Sequence, residues 1–113
     1  HLQRALAIRA QLYPADHVDL ITNLSTLADV ERLHGRLAIA EAYASDAVAR
    51  ATRGLAADRP ERGNAWYRYA QVLQATGKAE AAKSAAESAR AVLIRHYPPS
   101  HPRIVAIDAL RRG

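Results

Sequence analysis

The chain has no cysteine, no methionine and no phenylalanine, and only two lysines, Lys78 and Lys83, among its 113 residues. Each absence closes a class of function. Without cysteine there is no disulfide framework, no thiolate metal site and no cysteine nucleophile. No apolar run approaches the roughly 18 residues that span a bilayer, and no signal-peptide pattern opens the chain. There is no Gly-rich phosphate loop, no Gly-x-Ser-x-Gly elbow and no His-Glu-x-x-His helix. Ser25, Ser45, Ser84, Ser88 and Ser100 have no base partner organised in the sequence. The sequence therefore predicts neither an enzyme nor a cofactor. The missing Met and the start at His1 are expected of a processed piece, an engineered piece or a stretch taken from a longer protein.

Ala is the commonest residue and Arg the next, while β-branched and aromatic residues are sparse. That composition favours helix and predicts one all-α domain. An Ala- and Arg-rich, Lys-poor chain also points to a GC-rich bacterial genome. A cytoplasmic location is expected. The net charge of +5 raises nucleic acid as a partner. The arginines are dispersed, however, at Arg4, Arg9, Arg32, Arg50, Arg62 and Arg90, and alternate with acidic residues. A binding footprint is clustered, so the pattern argues against nucleic acid.

Residues 13–17 read YPADH and residues 97–101 read YPPSH, 84 positions apart, which is twice 42. A period of 42 aligns residues 13–54 with 55–96. It matches Asp16 with Asp58, Ala28 with Ala70, Gly35 with Gly77, and Ala40, Ala44 and Ala47 with Ala82, Ala86 and Ala89. Residues 1–12 align with the second half of a unit, with Leu2, Leu6, Ile8 and Leu12 as its apolar stripe. Residues 97–113 align with the beginning of another unit or a cap.

Each unit reads as two helices. Asp16, Asp58 and Ser100 are predicted N-caps, with Asp19 or Glu61 on the first turn and Pro60 and Pro102 inside it. Apolar residues follow at helical spacing: Leu20, Leu24, Leu27, Ala28 and Leu33, then Trp66, Tyr69, Ala70 and Leu73. Gly35 and Gly77 close these helices. A second helix runs from Leu37 to about Arg53, or from Ala79 to about His96, carrying the alanine ladder. Asp108 falls where Leu24 and Trp66 are apolar, so the last helix reads as degenerate.

Leu24, Leu27, Ala28, Gly35, Ala40, Ala44 and Ala47, with Trp66, Tyr69, Ala70, Gly77, Ala82, Ala86 and Ala89, resemble the tetratricopeptide repeat (TPR). The 42-residue unit and its YP-x-x-H linkers are similar to the kinesin-light-chain type. The resemblance implies a right-handed α-solenoid of antiparallel helix pairs. It also implies a scaffold that binds a peptide or partner protein in a concave groove. A bacterial signalling protein is the implied parent. The alternative is an array acting in cis on an attached kinase, ATPase or DNA-binding domain. Self-association through exposed solenoid ends is a further implied contact. The chain departs from the type at Ser25-Thr26 and Tyr67-Arg68, where that type carries an Asn pair facing peptide backbone.

The groove face is the one opposite the apolar stripe. It holds Thr22, Ser25, Thr26, Asp29 and Arg32 in the first unit, and Asn64, Tyr67, Arg68, Gln71 and Gln74 in the second. Arg32 and Arg68 suit carboxylates, and Tyr67 is a large aromatic on a polar face. Trp66, in the stripe, is expected in the core. His17, His34, His96 and His101 lack metal-ligand spacing, and His17 and His101 read as linker residues.

Overall fold

The computed structural model describes residues 17–113, and these form five α-helices and no strand. They are α1 (Val18–Leu33), α2 (Leu37–Gly54), α3 (Pro60–Ala75), α4 (Ala79–Leu93) and α5 (Pro102–Arg112). The half unit expected over residues 1–12 and the Asp16 cap lie outside the described residues.

The caps fall one residue later than the sequence reading put them. The N-caps of α3 and α5 are Arg59 and His101, not Asp58 and Ser100, and His17 caps α1. Proline explains the shift at α3 and α5. Pro60 and Pro102 occupy the first helical position, where a fixed φ and a missing N–H cost nothing. The residue before proline is then forced into extended backbone, which is the N-cap conformation. Arg59 and His101 accordingly have ψ of 127° and 137°. His17 and His101 cap through the ring: Nδ1 accepts from the Asp19 and Arg103 N–H groups, each at 3.0 Å. In YPPSH the Tyr97 ring also stacks on His101, with centroids 4.1 Å apart. The middle copy has Arg59 at this position and no side-chain cap.

The helix ends follow from glycine. Gly35 and Gly77 take φ of +77° and +83°, the left-handed region that glycine enters freely. Arg36 N–H then donates to Glu31 C=O and Gly35 N–H to Arg32 C=O, at 2.9 and 3.0 Å. Lys78 and Gly77 repeat the pair on Leu73 and Gln74, at 2.9 and 3.1 Å. Two carbonyls that α1 or α3 would otherwise leave unsatisfied are thereby paired.

Each helix packs on the next, and α3 also packs on α1 and α5. The alanine ladders of α2 and α4 are the contact surfaces: Ala40, Ala44, Ala47, Ala82, Ala86 and Ala89 are all buried. Small side chains let the backbones approach, so close packing substitutes for bulk. One large residue is exchanged between units. Ile21 and Ala51 share a core cluster in the first, and at the equivalent positions of the second stand Gly63 and Leu93. A Cβ on Gly63 would sit 2.7 Å from Leu93 Cγ.

Two stripe assignments and one groove assignment change. Leu33 is 69% exposed. It lies five residues beyond Ala28, about 140° round the helix, and Glu31 takes the buried position instead. Trp66 is only partly buried, leaning on two adjacent core clusters and on Tyr69 at 6.1 Å. Tyr67, read as a groove residue, is 7% exposed and belongs to the core cluster with Leu73, Ile104 and Ile107. The cause is the position of α3, which contacts helices on every side, so part of its polar face is a seam with α5.

Candidate binding groove

Helices α1, α3 and α5 stand side by side, and two cavities open along their shared face. One, of about 340 Å³, is lined by Arg32, Tyr67, Gln71, Gln74 and, from α5, Ala106, Ala109 and Leu110. The other, also about 340 Å³, is lined by Thr22, Ser25, Thr26, Glu61, Asn64, Arg68 and Arg103. Both are roomy enough for a side chain of a bound peptide.

A polar chain separates them. Asp29 Oδ1 accepts from Arg32 Nη2 at 2.7 Å and lies 3.3 Å from Arg68 Nη1. Arg68 Nη1 also donates to Gln71 Oε1 at 2.9 Å, and Gln71 Nε2 donates to the Tyr67 hydroxyl at 3.1 Å. Arg103 Nη1 donates to Asn64 Oδ1 at 2.7 Å. The Tyr67 ring has two guanidinium groups over it, Arg103 with Cζ at 4.4 Å and Arg68 at 5.4 Å from its centroid. Both distances lie within the range where a ring quadrupole attracts a cation.

The electrostatics of this cluster are unbalanced. Burial works against the Arg68 charge and lowers its pKa. Asp29 offsets part of that, while Arg103 adds repulsion. Asp29 is shared between Arg32 and Arg68, and Glu61 is engaged by Arg59 at 3.2 Å. Arg103 has only the neutral amide of Asn64 as a side-chain acceptor among the described residues. Arg32 Nε is buried with no hydrogen-bond partner among them.

The eight residues predicted for the groove are brought together, in three roles. Ser25, Asn64 and Arg68 border one cavity. Arg32, Gln71 and Gln74 border the other. Asp29 is the acceptor between them, and Tyr67 is the floor rather than a free contact residue. Sequence reasoning missed Arg103 and Glu61. The signal was present: Arg103 is 42 residues after Glu61, so the repeat puts both on one face.

Elsewhere the charges are paired for stability. Arg36 reaches the buried Glu31 carboxylate with Nε and Nη2, and this hydrogen bond holds its pKa below the usual carboxylate range. Arg111 and Arg90 do the same for Asp108, at 2.8 and 2.9 Å. The carboxylate in the stripe of α5 is thus a bridge to α4. His96 Nε2 lies 2.6 Å from the Asp58 carbonyl oxygen and ties the end of α4 to the entry of α3. Among the described residues no cluster of three or more His, Cys, Asp or Glu could hold a metal. No described helix is long and apolar enough to cross a membrane.

No family model matches the sequence, and comparison with curated proteins finds no match. Solved structures do match. A crystal structure of a single-substitution variant of a kinesin-light-chain-like protein from Podosopora anserina, built of nearly identical TPR-like repeats, superposes with a TM-score of 0.73. It is 21% identical and covers 97% of this chain. A second crystal structure of that protein gives a TM-score of 0.70 at 22% identity, over the same 97%. The chain spans 52% of either structure. The fold is therefore a TPR-like helical solenoid.

Proposed function

We propose that this chain is a non-catalytic interaction scaffold that binds a peptide segment of a partner protein in the groove of α1, α3 and α5. The observation that carries the reading is the guanidinium cluster over Tyr67, with a cavity on either side of it. Arg32, Arg68 and Arg103 outnumber Asp29, the carboxylate that Arg32 and Arg68 share, so the groove favours an anionic partner. The wider setting we propose is a bacterial, cytoplasmic signalling protein, on the Ala- and Arg-rich composition and the resemblance to the kinesin-light-chain type.

Peptide phage display against the chain, followed by isothermal titration of a selected peptide, tests the reading. Arg68→Ala with Gln74→Ala is expected to weaken binding at least tenfold, because charge-assisted contacts to a groove ligand are lost. Binding unchanged by that pair rejects the groove. Failure to select any peptide in trans, with an attached domain binding in its place, assigns the groove to a partner in cis.

A further inference from the structure

We propose that the cavity between Arg68 and Arg103 is a phosphomonoester site, which receives a phosphoserine or phosphothreonine of a peptide lying in the groove. The inference rests on the peptide groove proposed above and names the chemistry of one of its two cavities.

The charge of the site sets the class of ligand. Arg68 and Arg103 line this cavity, Asp29 is shared between Arg68 and Arg32 of the neighbouring cavity, and Glu61, which also lines this one, is engaged by Arg59. Across Arg32, Arg68 and Arg103, with Asp29 as the carboxylate among them, two positive charges are left over. A single carboxylate neutralises one of them, whereas a phosphomonoester carries about −1.5 to −2. Arg103 repels the partly desolvated Arg68, and a dianion between them offsets that repulsion.

The donors match the shape as well as the charge. A guanidinium presents a planar fork that takes two phosphate oxygens at once. Two forks approach this cavity from different helices, α3 and α5, and both are steered by cation–π contact with the Tyr67 ring. Holding them before the ligand arrives lowers the ordering cost of binding. The Thr22 and Ser25 hydroxyls and the Asn64 amide line the same cavity, and each is a neutral donor for a further oxygen. A volume of about 340 Å³ takes a phosphorylated side chain with room for its backbone at the mouth.

The test is fluorescence anisotropy with three labelled nonapeptides of alanine and glycine that differ at the centre: phosphoserine, serine, and an Asp-Asp pair. The phosphoserine peptide is expected to bind at least tenfold tighter than the serine peptide. Arg103→Gln and Arg68→Gln are each expected to lower its affinity about tenfold, with circular dichroism melts close to wild type and Arg95→Gln as an unaffected control. Inorganic phosphate is expected to compete only at far higher concentration than the unlabelled phosphopeptide. Equal binding of phosphoserine and serine peptides overturns the inference, as does full affinity in Arg103→Gln. Equal binding of the Asp-Asp peptide, lost in Arg68→Gln, overturns the phosphate reading while supporting the groove. Competition by inorganic phosphate as potent as by the phosphopeptide makes this a free-anion site and overturns the peptide assignment. Selection of a phage peptide that ignores both arginines removes the groove itself.

Discussion

Gly63 and Leu93 are predicted to be one packing unit that neither residue can leave alone. A Cβ on Gly63 would meet Leu93 Cγ at 2.7 Å, Leu93 Cδ2 at 2.9 Å and Val92 Cβ at 3.0 Å. Leu93 is fully buried, so its branch point has no free space to enter. Gly63→Ala therefore gains about 1 kcal/mol of helix propensity and incurs about 1–3 kcal/mol of overpacking, a net loss of about 1 kcal/mol. Leu93→Ala alone removes a buried side chain and leaves a cavity, costing about 2–5 kcal/mol. In the double variant the new methyl points into that cavity, so the clash with Leu93 disappears, the tight Val92 contact alone is left, and the propensity gain remains. The double variant is then more stable than Leu93→Ala by about 1 kcal/mol, with a coupling energy of about 2 kcal/mol. Urea denaturation followed by far-ultraviolet circular dichroism measures all four corners of the cycle. Additivity within about 0.5 kcal/mol would refute the reasoning, since it would mean the two sites do not touch.

Tyr67→Ala should destabilise by about 3 kcal/mol, as a buried aromatic, while Tyr67→Phe should cost about 1 kcal/mol for the lost Gln71 hydrogen bond; thermal melts of the two variants decide this. His101→Ala should cost about 1 kcal/mol of stability through the lost cap, and Arg59→Ser should gain a few tenths to 1 kcal/mol by supplying the cap that the middle copy lacks. Arginine partners lower the folded-state pKa values of Glu31 and Asp108, so their stabilisation is complete above the unfolded carboxylate pKa of about 4 and lost as pH falls below it. Arg36→Gln should flatten that acid dependence in melts recorded from neutral to low pH, and an unchanged slope would show that Glu31 is not held by Arg36.

How far the sequence reads the structure depends on how local each determinant is. Gly35 and Gly77 were legible because a positive φ after a helix is a local requirement that glycine meets. The alanine ladders were legible because period and side-chain size together specify a close helix contact. The caps of α3 and α5 were misplaced by one residue although the rule was local: proline at the first helical position fixes the cap as the residue before it. The YP-x-x-H stretches read as linkers between units. In the second of them the Tyr and His are a stacked pair whose histidine caps the next helix. Tyr67 was not legible. Helical periodicity puts it opposite the apolar stripe, and only the return of α5 more than thirty residues later buries it. Arg103 belongs to the groove for the same non-local reason, and the repeat register alone would have placed it beside Glu61.

The most direct test of the groove is a titration of the isotope-labelled chain with a phage-selected peptide, followed by amide chemical shifts. The account predicts perturbations at Ser25, Asp29, Asn64, Arg68, Gln71 and Arg103, on the shared face of α1, α3 and α5. Perturbations confined to the outer surfaces of α2 and α4, at Ala42, Ser45, Ser84 and Ala91, would contradict it.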